Sequence, residues 1–590
     1  MKLSPPTVIA LLAWTAGSAA SLSAAQEDQH EQPTFRDVTA TSGVDFHHRH
    51  FGTGDKFMPE NMGSGVAVFD ADGDGRLDLY FIQGAPWTSE ARASTPFERR
   101  TNRLFLQRKE GFVEQQESGL EDEGYGMGVA VGDIDGDGLE DVYVTNYGPN
   151  RLFRALGGGR FVDETAARGL LDPEGSPPQW GSSAAFFDAD QDGDLDLYVA
   201  NYLLFRREEN TFCGSAARGI RSYCHPDLYP AQPDRFYRNL GNGHFVDESS
   251  RVGIHGPSID RESKGLGVYA GDLDGDGRTD VYVANDSTRN LLFLSTTQGG
   301  KQSFREDGLL AGLGYSGAGR PEAGMGIAAG DVDGDGKLDL LVTHLDQETN
   351  TLYRNQGGGL FQDATTAAGL AGPSLPWVGF GTQLFDADLD GDLDLLVANG
   401  HIIDNISEFD AQRRHRQPTQ YFENEAGRFV ERSEVLGLAN RPLAGRGAVA
   451  ADWDDDGDLD LVITQNDGAA LLLENQLGGG RSVTVSFEGT LGGRGARIDL
   501  LRLPSQGQPQ RISTNWMHAT TGYLSQPPLR QVIGLPGSGP FRLRVQRTVG
   551  DPANESDAPT SVDGAGTTTI DLETTERRSQ SLTLGQRPDP

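Results

Sequence analysis

Asp70-Ala71-Asp72-Gly73-Asp74-Gly75-Arg76-Leu77-Asp78 reads DADGDGRLD, with aspartates at positions one, three, five and nine and glycine at six. The pattern returns six times, as DIDGDGLED (133–141), DADQDGDLD (188–196), DLDGDGRTD (272–280), DVDGDGKLD (331–339), DADLDGDLD (386–394) and DWDDDGDLD (452–460). The repeated carboxylates are Asp70, Asp72, Asp74 and Asp78; Asp133, Asp135, Asp137 and Asp141; Asp188, Asp190, Asp192 and Asp196; and Asp272, Asp274, Asp276 and Asp280. The last three copies supply Asp331, Asp333, Asp335 and Asp339; Asp386, Asp388, Asp390 and Asp394; and Asp452, Asp454, Asp456 and Asp460.

Alternate carboxylates in a tight loop converge on one point, and the glycine permits the left-handed turn that closes it. Two unit charges ~4 Å apart repel by ~4 kcal/mol at an effective dielectric of ~20. Six such pairs in a rigid loop reach on the order of 20 kcal/mol as an upper bound. The loops must therefore bind a cation, splay open or take up protons. Oxygen ligands at this density suit Ca²⁺, whose shell is loose and many-membered, better than Mg²⁺. The loop is not an EF-hand, which needs twelve residues ending in Glu between two helices.

Short apolar runs flank each loop. GSGVAVF (63–69) and GMGVAVG (126–132) precede; LYFIQ (79–83) and VYVTN (142–146) follow. They are too short for helices and apolar on both faces, as in strands packed between sheets. A third run such as TLYRN (351–355) and a fourth after a glycine turn, GGGRFVDET (157–165), complete the unit. Four short strands at a period of about sixty residues make a propeller blade. The predicted fold is all-β: a seven-bladed β-propeller over 33–480, a small β-rich domain over 481–550 and a disordered polar tail over 551–590.

The F-x-D/E strand follows loops one to six but not loop seven, while one copy, Phe35-Arg36-Asp37, stands before blade one. The N-terminal strand is therefore expected to complete the last blade and remove the open edges.

The chain has 590 residues and a formal net charge of -36, which argues against nucleic acid as a partner. MKLSPPTVIALLAWTAGSAASLSAAQ has the charge, apolar run and small-residue site of an export signal over 1–25. No later run is apolar enough to span a membrane. The protein is expected to be secreted or periplasmic. Its two cysteines, Cys213 and Cys224, are then expected to form a disulfide.

The D-x-D-x-D-G-x-x-D loops between strands resemble the FG-GAP/VCBS repeats of integrin α-chain propellers. FRDVTATSGV, MGSGVAVFDADGDGRLDLY and YC…DRFYRN resemble the cartilage acidic protein family more narrowly. RSVTVSFEGTLGGRGARIDL and GYLSQPPLRQVIGL resemble its ASPIC/UnbV domain, although VQRTVG (545–550) stands near where that family carries W-P-x-G. The resemblance implies an exported calcium-binding protein that binds matrix or cell-surface partners. The alternative is an enzyme or substrate-handling protein at the propeller channel, acting on polysaccharide or in natural-product biosynthesis. Glu60, Glu123 and Glu322 are the only evident acid candidates for that chemistry.

Alternating strands put the metal loops on one face and the B–C connections on the other. The long insertions, 84–102, 202–234 and 400–420, lie on that second face and carry Arg99, Arg207 and Arg414, suited to an anionic protein or glycan ligand. Strand B ends there with Gln83, Asn146, Asn201, Asn285, His344, Asn399 and Gln465. These side chains either cap the strand ends through local backbone or form a ligand-binding ring at the channel mouth. His47-His48-Arg49-His50 reads as a surface tract rather than a metal site, because neighbours on a strand point opposite ways.

Overall fold

A run such as Val66-Ala67-Val68-Phe69 has no polar side to give to water, so it is stable only as a strand covered on both faces. It pairs antiparallel with Asp78–Phe81 across the first aspartate loop; Arg103–Arg108 and Gly111–Glu114 complete the sheet. The computed structural model describes residues 32–172, 175–299, 301–438, 440–478, 480–546, 560–562, 567–572 and 579–584. The expected export signal lies outside them. Seven such four-stranded sheets are present, lettered A to D from the innermost strand outward. Each A strand contacts the A strand of the next sheet, and that of blade one contacts that of blade seven. The fold is a seven-bladed propeller.

Strands A and B are buried along almost their whole length, while strand D buries only about every other residue. Between blades one and two, Phe69, Tyr80 and Leu104 meet Val129, Val142 and Phe153. Blade seven has strands A (Gly445–Ala451), B (Asp460–Gln465) and C (Leu471–Asn475) in sequence, and takes its fourth from Phe35–Asp37. Phe35 pairs with Asn475 and Asp37 with Leu473, which is the offset expected from the strand count.

The C-terminal residues form two further sheets. One holds Ser482–Phe487 between Arg530–Gly534 and Ser579–Leu584; the other includes Arg497–Arg502, Gln510–Trp516, Phe541–Gln546 and Thr567–Leu572. Within the tail expected to be disordered over 551–590, the described residues 560–562, 567–572 and 579–584 are strands. Ile570, Leu572 and Leu584 join Val483, Val485 and Leu543 in one core. A few alternating apolar residues were hidden by the polar composition around them. Described residues beyond 550 thus share the core of the C-terminal sheets.

Between Trp516 and Arg530 the chain enters the propeller channel. Gly522 and Ile327 exchange backbone hydrogen bonds (2.6 and 3.0 Å), Val129 N–H donates to the Leu524 carbonyl (3.2 Å), and Gln526 exchanges bonds with Val66 and Val68 (3.0 Å each). The segment thus pairs with the inner strands of blades five, two and one, and Tyr523 is fully buried. A Cβ on Gly65 would stand 1.7 Å from the Leu524 carbonyl oxygen, so this inner-strand glycine makes room for the plug.

Candidate metal loops and the opposite face

Each loop is held by its own first and last aspartates. Asp70 accepts from the N–H groups of Gly73 (2.9 Å), Asp74 (3.1 Å) and Gly75 (2.8 Å). Gly75 sits at φ 89°, the left-handed conformation the motif requires. Asp78 accepts from Ala71 N–H (2.9 Å) and, across the blade, from Gln107 N–H on strand C (2.7 Å). The position-nine carboxylate makes this cross-blade bond in all seven blades, at 2.7 to 2.9 Å. Position nine therefore ties the loop to the sheet as well as pointing into it.

One oxygen each from Asp70, Asp72 and Asp78 lies within 4.8 Å of the others, and the same holds for Asp133, Asp135 and Asp141 and for Asp331, Asp333 and Asp339. In loops three and four the convergent trios are Asp188, Asp190, Asp192 and Asp272, Asp274, Asp276. Cations beside and within the loops offset part of the charge. Arg108 bonds Asp72 (2.6 Å) and Asp74 (3.2 Å), Arg168 bonds Asp135 (2.9 Å), and Arg76, Arg278 and Lys337 fold back on the position-five aspartates of their own loops. The repulsion estimated for bare loops is correspondingly reduced.

Burial, reinforced by neighbouring carboxylates, still pushes Asp78, Asp141 and Asp339 up to about 7. One oxygen of Asp72, Asp135, Asp190, Asp331 and Asp386 is buried with no hydrogen-bond partner. Leaving a carboxylate oxygen so is costly. Converging, partly unpaired oxygens are a donor set that fits a hard cation.

A second set of residues escaped the sequence reading. Asn239 Nδ2 donates to the Leu195 carbonyl of its own loop (3.2 Å) and to Ile134 of the preceding blade's loop (2.9 Å). Asn355, Asn424 and Asn475 do the same for blades five, six and seven. At the seam, Gln107 Nε2 donates to Trp453 of blade seven (2.5 Å). The recurring strand-C endings YRN, FEN and LEN were the available signal.

The C-terminal domain contacts this same face. Arg511 and Arg497 donate to the carbonyls of Gly334 (2.7 Å) and Gly336 (2.9 Å), Ser482 to Gly457 (2.5 Å), and Arg530 to Gly75.

The opposite face differs. Gln83, Asn146, Asn201, Asn285, His344, Asn399 and Gln465 are all no more than 3% exposed. Each donates a side-chain N–H to a nearby carbonyl: His47, Pro149, Pro233, Arg289, Thr349, Pro418 and Ala469, at 2.7 to 3.0 Å. Buried as caps, they present no exposed ring at the channel mouth. His47 is exposed but His48 is buried, which corrects the surface-tract reading for the inward-pointing member.

The blade-three insertion carries the Cys213–Cys224 disulfide on a small hairpin of Cys213–Ser215 and Ile220–Ser222. Several insertion arginines are engaged: Arg413 with Asp346 (2.8 Å), Arg92 with Glu123 (3.1 Å), Arg221 with Asp55 (3.5 Å). Arg99, Arg207 and Arg414 are exposed and form no ion pair among the described residues. Arg207 donates to the Trp87 carbonyl (2.5 Å) and lies 5.7 Å from the Phe57 ring centre; Arg414 donates to Ala411 (2.6 Å). Of the acid candidates, Glu60 and Glu322 are pushed by burial to about 7, and Glu123 is held by Arg92 and Arg100. Among the described residues no helix is long and apolar enough to cross a membrane.

An FG-GAP-like repeat profile matches residues 93–144, 133–199, 225–283, 272–342 and 331–397. Cartilage acidic protein 1 of Mus musculus is 26% identical over 404 residues, covering 58% of this chain and 58% of that protein. The Homo sapiens protein is 26% identical over 353 residues, covering 57% and 47%. The chain spans about half the length of the curated relatives it matches. Among solved structures, an Agrocybe aegerita lectin that recognises non-reducing terminal N-acetylglucosamine is 15% identical with a TM-score of 0.34, over 62% of this chain and 79% of that one. A likeness at that level carries no argument.

Proposed function

Because the chain is an FG-GAP propeller protein of the cartilage acidic protein family, we propose that it is an exported binding protein. In this reading Ca²⁺ occupies the aspartate loops as a structural ion, and the insertion face is the working surface. One observation carries it: the two faces are committed differently. On the loop face the carboxylates converge and the loop carbonyls accept from the C-terminal domain. On the other face the insertions differ from blade to blade, and Arg99, Arg207 and Arg414 stand exposed without acidic partners among the described residues.

The ligands of each ion are the aspartates at one, three, five and nine, with position nine shared between metal and sheet. A guanidinium grips carboxylate or sulfate through two parallel hydrogen bonds, so the partner is a protein or glycan with anionic groups. The disulfide and the apolar N-terminal run support a secreted or periplasmic protein. The test is a binding screen of the calcium-loaded full chain against sulfated glycans and extracellular matrix proteins. A hit weakened singly by Arg99→Ala, Arg207→Ala and Arg414→Ala, at unchanged melting temperature, is the expected result. A hit unaffected by all three but lost with changes near Gly243 or Gly358 on the loop face overturns the assignment.

A further inference from the structure

On the insertion face the plugged channel ends in a cavity of about 180 Å³. Its wall is apolar and rich in sulfur: Met58, Met62, Met325, Leu266, Phe380 and Ile402. The plug lies behind this wall. Tyr523 packs edge-on against Phe380 at 4.9 Å and its hydroxyl donates to the Met62 carbonyl (3.3 Å). The C-terminal segment thus packs against two residues of the cavity wall, Phe380 and Met62.

Tyr202, Tyr223, His225 and Asp286 also line the cavity, and Tyr202 donates its hydroxyl to Asp286; Asn61 differs from them in being left unpaired. Asn61 lines the cavity, is 3% exposed, and its Oδ1 has no hydrogen-bond partner among the described residues. Its backbone is fixed, since Arg446 donates to the Asn61 carbonyl through Nε (3.1 Å) and Nη2 (2.7 Å). Arg446 is itself buried against Phe380, 3.9 Å from the ring centre, and its other bonds go to carbonyls of Gly400, Gly445 and His401. The guanidinium is thus spent on backbone, and Asn61 Oδ1 remains an unpaired acceptor beside the apolar part of the wall.

Size and chemistry narrow the occupant. An apolar cavity of about 150 Å³ accepts benzene, whereas drug-sized ligands need roughly 300 Å³ or more. Three thioethers with Phe380 favour an aromatic ring, whose edge makes good contacts to sulfur. We propose that this cavity binds one aromatic ring bearing a single N–H or O–H donor, and that the donor bonds Asn61 Oδ1. The ring is a free small molecule or the indole or phenol of a partner's side chain. Only the second source rests on the insertion face being the working surface.

The calcium-loaded full chain is titrated with indole and with 1-methylindole, which lacks the donor, and binding is read by calorimetry. Indole is expected to bind in the millimolar range or tighter, and about tenfold more tightly than its methylated form. Asn61→Leu should erase that preference. Ile402→Trp, at a half-buried position on the wall, should abolish binding of both while the melting temperature stays close to the parent's. No binding of indole, or equal binding of the two compounds by the parent chain, overturns the proposal, and the second comparison needs no variant. A Trp peptide flanked by Glu residues separates the sources. A gain of more than tenfold over indole that Arg207→Ala removes assigns the ring to a protein partner. A peptide no better than indole retains the cavity as a small-molecule site and counts against the insertion-face reading.

Discussion

On the loop face every blade presents the same nine-residue motif, closed by the same backbone bonds and tied to the same strand C. On the insertion face only one feature recurs, the buried strand-B cap, and the connections beyond it run from a few residues to the long excursions of blades one, three and six. The loop face is constrained by its own converging carboxylates, in blades three, five, six and seven by a strand-C Asn that bonds the preceding blade's loop, and at loops one, five and seven by the C-terminal domain. The insertion face needs its repeated part only to finish a strand. Within one repeat protein, strict repetition marks the face that holds the ring together, and variation marks the face left for recognition.

Removing calcium should break the comparison most. Saturation at about 100 times Kd contributes ~2.7 kcal/mol per site by mass action. Seven sites on a propeller of this size correspond to a shift in Tm on the order of 20 °C. Scanning calorimetry with and without chelator checks this at neutral pH, and unchanged stability would refute a structural ion. Amide exchange at Gly522 and Gln526 should quicken on chelation, because the loop carbonyls that anchor the C-terminal domain move.

Deleting residues 33–39 tests the seam. It removes the Phe35 anchor and bares strand C of blade seven, at a cost of about 3–5 kcal/mol and with a pairing edge left open. Size-exclusion chromatography should show association; a monomer as stable as the parent would be the contrary result.

Asn424→Ala and Asn201→Ala compare the faces residue by residue. The first removes two buried bonds that link adjacent loops, to Val332 and Leu393. It should cost about 2–3 kcal/mol in denaturant unfolding. The second removes one cap bond, to Pro233, and should cost about 1 kcal/mol. Equal costs would dissolve the distinction drawn here. Smallest of all, Arg207→Ala should leave Tm within about 1 °C of the parent, since an exposed side chain without an ion pair holds little of the fold.

Much of this was legible because it is local and periodic. The nine-residue motifs located the loops, the flanking runs located strands A and B, and the displaced Phe35-Arg36-Asp37 located the seam. The strand-B caps were found as positions, but capping and ligand binding demand the same polar side chain at the same place. Each is buried and bonded to a nearby carbonyl, and that burial depends on connections that pack from elsewhere in the chain. The interblade Asn residues were visible as YRN and LEN endings without a stated role, since each bonds a loop 82 to 105 residues earlier.

The sequence by itself determined an all-β repeat of seven acidic loops, the blade order and the strand that closes the ring, because spacing within a few residues dictates each of them. Tertiary structure alone decided where GYLSQ goes. Its bonds join Gln526 to Val66 and Gly522 to Ile327. Such contacts exist only once the blades have closed around an axis, because no single strand carries the shape of the channel they enclose. The wall of the cavity at Phe380 is backed by Tyr523 of that same plug.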